Sequence, residues 1–210
     1  PSSSPSSPPP PASIPEPMAK LIPKDLTGHR CSREVAAVFR TLRKLDDDFT
    51  VWLSLDADPS TRPHFFVLYQ ERYAFLIQVA ATSQQLAESA IQADFLTNEI
   101  RLTPDTLGSH EAGILGTFAA TLETDFGPLT PSGLPVRKLV VFPDVLHHTI
   151  DEVVLQRSET THVNFLGLKQ LPVADFSTRL LSLAAAAIPE TSLLHLRSAF
   201  DPGTVIPSSF

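Results

Sequence analysis

Two short apolar runs, His64-Phe65-Phe66-Val67-Leu68 and Phe75-Leu76-Ile77-Gln78-Val79-Ala80, carry the residues best placed for chemistry. Side chains alternate along a strand, so Gln78 and Ala80 share one face of the second run, while His64 opens the first. Glu34 lies upstream on a helix-forming segment. A site built from these four positions holds one carboxylate, one imidazole and one neutral amide. Mg²⁺ wants several carboxylate or carbonyl oxygens, and imidazole suits zinc or other transition metals better. The set is a poor Mg²⁺ site, and neither a metal nor a cofactor is expected. The structural reading of His64 is a strand-start histidine satisfied by a neighbour. That of Gln78 is a half-buried amide bonded across the strands.

Other constellations are weaker. His147-His148 is a tandem pair, and adjacent helical residues point about 100° apart, which makes a poor chelate. His29, His110, His162 and His195 show no metal-ligand spacing. There is no G-x-S-x-G elbow and no phosphate-binding P-loop. Asp46-Asp47-Asp48 reads as a solvated turn rather than a metal site. Basic residues gather near the first helix at Lys20, Lys24, Arg30 and Arg33, then at Arg40, Arg43 and Lys44. With Arg137 and Lys138 they would form a strip able to contact phosphates. The net charge of -7 opposes strong autonomous nucleic-acid binding, since phosphate neutralisation supplies most of that affinity.

Elements to position these residues are readable. Residues 1–17 are nearly all Pro, Ser and Ala and are expected to be disordered, with Pro8–Pro11 able to form a polyproline ligand. Met18, the single methionine, reads as a start, and residues 18–210 as one domain. Ser32 caps a helix whose Val35, Val38, Phe39, Leu42 and Leu45 form one apolar face. Residues 50–55 alternate as a strand, with Val51, Leu53 and Leu55 on one face and Trp52 on the other. Gln70-Glu71-Arg72 joins the two apolar runs into an antiparallel hairpin. A helix capped by Thr82 or Ser83 is expected to run to about Phe95. A loop or short strand follows over 98–107, a helix over 109–124 and a loop over 127–135. Val136 to Phe142 reads as a strand covered on both faces and closed by Pro143. Helices are expected over 144–154, 175–187 and 192–200. The last two carry Leu180, Leu181, Leu183, Leu193, Leu194 and Leu196, which either pack on this domain or cover something else. The fold class is α+β (mixed α/β). The single cysteine, Cys31, forbids an internal disulfide. No run reaches the roughly 18 apolar residues of a membrane span, and a cytoplasmic location is expected, with no membrane partner.

The order helix, three-stranded antiparallel meander, helix, strand resembles the core of the PD-(D/E)XK (restriction-endonuclease-like) nucleases, here with extra C-terminal helices. Specific words narrow the resemblance. Met18-Ala19-Lys20-Leu21-Ile22-Pro23, Ser32-Arg33-Glu34, Val140-Val141-Phe142-Pro143-Asp144-Val145 and Pro202-Gly203-Thr204-Val205-Ile206-Pro207 resemble stretches of NERD (nuclease-related) domains found ahead of UvrD-like helicases. In that pattern an Asp opens the second strand and a Glu-x-Lys lies on the third, holding the metal that activates water. His64 stands at the Asp position, Gln78 at the Glu position and Ala80 at the Lys position; Glu34 alone keeps the pattern. The resemblance implies a catalytically inactive accessory domain that positions DNA weakly through Arg40, Arg43, Lys44, Arg137 and Lys138, or docks a protein. The protein would be a helicase motor downstream in the same chain or a separate partner. A hydrogen bond from Glu34 to His64 or Gln78 would be a relic of the metal site. One alternative is an active nuclease that uses Asp47, Asp48, Asp56 or Glu71 instead. The other is an interaction module without nucleic-acid contact.

Overall fold

A computed structural model describes residues 18–54, 64–92, 136–156, 163–184 and 186–200. Along them run β1 (Lys20–Ile22), α1 (Arg33–Leu42), β2 (Phe49–Leu53), β3 (Phe65–Tyr69), β4 (Tyr73–Val79) and α2 (Gln84–Gln92). There follow β5 (Arg137–Leu146), α3 (His147–Leu155), β6 (Val163–Lys169), α4 (Val173–Leu183) and α5 (Glu190–Phe200). The strands form one sheet in sequence order, β1 to β6. β3 is antiparallel to both neighbours, and the other pairings are parallel. The architecture is mixed α+β. Among the described residues no helix is long and apolar enough to cross a membrane.

The two-residue period of the strands sorts the core into two faces. Val51, Leu53, Phe65, Val67, Phe75, Ile77, Val79, Leu139 and Val141 point to the first face, against Val35, Val38, Phe39 and Leu42 of α1 and Phe176 and Leu180 of α4. Trp52, Phe66, Leu68, Ala74 and Leu76 point to the second, where Ile188 and Leu193 cover them. Farther along that second face Ala80, Val140 and Phe142 meet α2 and α3. Four of the leucines thus pack at home: Leu180 and Leu193 are buried, and Leu181 and Leu183 lie against the first cluster. Arg179 of α4 and Asp151 of α3 make a bidentate pair at 2.5 and 2.6 Å. It joins α4 on the first face to α3 on the second.

Local chemistry explains the elements. Ser32 Oγ accepts the Val35 N–H at 3.2 Å, and Ser83 Oγ accepts the Leu86 N–H at 3.3 Å, so both expected caps are present. Between β3 and β4, Arg72 N–H donates to Tyr69 O at 3.0 Å, closing a turn. Gln70 (φ 48) and Glu71 (φ 56) both have positive φ there, the twist that suits a hairpin. The acids of Asp46–Asp48 build a turn as well. Asp46 Oδ1 accepts the Asp48 N–H at 3.1 Å, and Asp48 Oδ2 accepts Gln70 Nε2 at 3.0 Å.

Three differences from the sequence reading stand out. The chain does not leave the sheet at Pro143 but continues in β5 to Leu146, with a shift of register. β6 has no clear sequence signal, because Asn164 and Gly167 break its apolar pattern. β1 adds an edge strand parallel to β2. The expectations for residues 1–17, Leu55, 98–107, 109–124 and 127–135 lie outside the described residues, as does the side chain of Leu196. Gln170, exposed at φ 63, ends β6 in a conformation that favours glycine. Gln170→Gly is expected to raise stability by about 0.5 kcal/mol, read as a higher urea midpoint, because relief of the left-handed strain outweighs glycine's extra entropy.

Candidate functional site

β3 and β4 pair so that Phe65 faces Ile77 and Phe66 faces Leu76, which brings His64 beside Gln78 at the open end of the hairpin. His64 Nδ1 accepts the Val79 N–H at 3.0 Å. A neutral ring that accepts at Nδ1 carries its proton on Nε2. Burial pushes the imidazole down from its ordinary 6.5 to about 4, and a hydrogen bond with the Gln78 side chain acts in the opposite direction. Protonating Nδ1 would also set two N–H donors against each other, so the ring stays neutral at physiological pH. Gln78 is 4% exposed and Ala80 9%. Val140 pairs with Gln78 across β4 and β5, so an apolar residue flanks the amide on that side.

Glu34 joins this group in position along the sheet but not in face. Arg33 Nη2 lies 3.7 Å from Asp144 Oδ1, which puts the start of α1 near the C-terminal end of β5. The apolar residues of α1, however, pack with Phe75, Ile77 and Val79 on the first face, whereas Gln78 and Ala80 point to the second. The sheet separates them, and the partners that hold His64 are Val79 and Gln78. The expected relic hydrogen bond from Glu34 is not what holds this site.

The substitute carboxylates are placed elsewhere too. Asp48 is bonded to Gln70, and Glu71 sits in the turn, both at the closed end of the hairpin. Gln78 lies five residue steps from Tyr73 at that end, roughly 17 Å at the rise of a strand. Asp56 lies outside the described residues. Among the described residues, no three His, Cys, Asp or Glu gather around one point.

The basic strip divides. Arg40, Arg43 and Lys44 are exposed around the end of α1, on the first face. Arg137 is exposed and its Nε donates to Leu183 O at 2.9 Å, where it satisfies a carbonyl at the end of α4. Lys138, its neighbour on β5, points to the opposite face because strand side chains alternate, and it pairs with Leu76. Arg137 and Lys138 therefore leave opposite faces of β5. His147 leans on Lys169 O at 3.4 Å, with its ring edge toward His148, and forms no chelate with it.

One constellation carried no sequence signal. Arg197 of α5 ion-pairs with Glu71 of the hairpin turn and stands over the ring of Trp52. These residues are 126 and 145 positions apart from it in the chain, counted as 197 − 71 and 197 − 52, so no local pattern links them. Comparison with protein-family models, with curated proteins and with solved structures yields no match.

Proposed function

We propose that this chain is a nuclease-related accessory domain without catalysis of its own, part of a longer DNA helicase-like protein, and that it acts by docking or positioning. One observation carries the reading. The positions where the nuclease pattern needs an acid, a second acid and a lysine hold His64, Gln78 and Ala80: a neutral buried imidazole whose Nδ1 is taken by the Val79 N–H, a buried amide and a methyl group. A neutral amide and a buried imidazole give a phosphodiester no metal and no charge stabilisation. The order α1, β2–β3–β4, α2, β5 agrees with the proposed family core.

Arg40, Arg43 and Lys44 favour DNA as one thing positioned, since they expose three cations on one helix end. The test uses the full chain with labelled single-stranded, duplex and forked DNA. Incubation with Mg²⁺ or Mn²⁺ is expected to give no cleavage above the EDTA control, and metal-dependent cleavage would overturn the reading. In a salt series on duplex DNA, three phosphate contacts predict a log–log slope of roughly −2.7. Binding lost in an Arg40→Glu, Arg43→Glu variant assigns the contact to α1. No binding at tens of micromolar, about the range of non-specific contacts, removes DNA and leaves protein docking as the role.

A further inference from the structure

α5 lies on the second face of the meander, and among the described residues three contacts hold it there. Ile188 N–H, just before the helix, donates to Arg72 O at 2.8 Å. Ile188 and Leu193 are buried against the face that includes Trp52 and Phe66. Arg197 pairs with Glu71 and sets its guanidinium 5.8 Å from the centre of the Trp52 ring, a cation–π distance.

The α5 seat also carries defects. Trp52 Nε1 and Arg197 Nε are buried without a hydrogen-bond partner among the described residues. A buried donor left unpaired costs free energy that water would return. A pocket of about 390 Å³, open to solvent, lies between Glu71 and Arg72 on one side and Ile188, Leu193 and Arg197 on the other, so water reaches the edge of this seat. The electrostatic anchor is partly exposed, with the Glu71 side chain at 62%, so salt weakens it.

We propose that α5 is a strap that undocks from the β2–β4 meander as a unit while the rest of the sheet stays folded. Undocking hydrates both orphaned donors and uncovers the Trp52–Phe66 stack, whose rings lie 5.3 Å apart. The proposal does not depend on the nuclease-related reading. It concerns how the helix is held, whatever the domain binds.

Native-state hydrogen exchange on the full chain tests it. The α5 amides are expected to exchange through an opening about a hundredfold more populated than the one that frees β3 and β4. Trp52, the sole tryptophan, gives a second readout: acrylamide quenching should rise with salt while far-ultraviolet dichroism holds. Glu71→Gln removes the carboxylate and keeps the guanidinium. It should raise the α5 opening roughly fivefold and leave the β4 amides unchanged. Exchange of α5 and β4 in one event, with the same response to denaturant, would overturn the proposal. So would a Glu71→Gln variant that shifts both elements equally or neither.

Discussion

Gly167→Ala is expected to destabilise the protein by roughly 3 kcal/mol. A Cβ at this position would stand 2.6 Å from Leu146 O and 2.8 Å from both Leu146 C and Val145 O. All three are backbone atoms, so no side chain can swing away. The crowding has a clear origin. Phe142 pairs with Gly167 and Leu146 with Lys169, so four steps on β5 span two on β6. The two extra residues bulge just after Pro143, which has no N–H to give the ladder. That bulge lays the Val145–Leu146 backbone over residue 167, and only glycine leaves room. For a chain of 210 residues the loss corresponds to a fall in Tm of about 10 °C. A thermal midpoint within a degree or two of the parent would refute this account of the bulge. Gly167→Ser should behave like the alanine variant, because the clash is with Cβ.

Stability should also fall as the pH drops from about 6.5 to about 4, by roughly 3 kcal/mol in total from His64 alone. The sign follows from where the proton binds. In the unfolded chain the imidazole titrates near its ordinary 6.5; in the folded protein burial holds it down to about 4. Between those values the unfolded state binds more protons, so acid favours unfolding. The stabilisation is complete above 6.5 and exhausted once the folded ring itself protonates. His64→Asn isolates the effect, because Asn Oδ1 can accept the Val79 N–H that Nδ1 accepts now. Urea midpoints of the two proteins measured from pH 7 to 4 should converge as the pH falls. Parallel curves would mean that His64 is hydrated and ordinary in the folded state. Asp25, held low by its hydrogen bonds from Thr27, contributes equally to both proteins and cancels.

The elements that sequence alone specified are those whose signal is local. The α1 face of Val35, Val38, Phe39 and Leu42 recurs at helical spacing behind a Ser32 cap, and it is buried as that spacing requires. The hairpin follows from two β-rich runs three residues apart, and the face-sharing of Gln78 and Ala80 follows from strand alternation. Even the double coverage of β5 is legible in its unbroken apolar run. Residue types alone also argued against a Mg²⁺ centre at His64, Gln78 and Ala80.

Tertiary structure decided what depends on distant partners. Glu34 shares a sheet end with Gln78 yet lies across the sheet from it, because α1 and α2 pack on opposite faces. Arg137 and Lys138, adjacent in sequence, part to opposite faces, and Arg137 is taken by the end of α4. β6 is not legible in the sequence because its Gly167 answers a close backbone approach and not a rule of strand propensity. The docking of Arg197 on Glu71 and Trp52 joins residues that only the folded chain brings together. Periodicity records which side of an element is apolar. It does not record which element covers that side, since burial is non-directional and many apolar faces satisfy it equally.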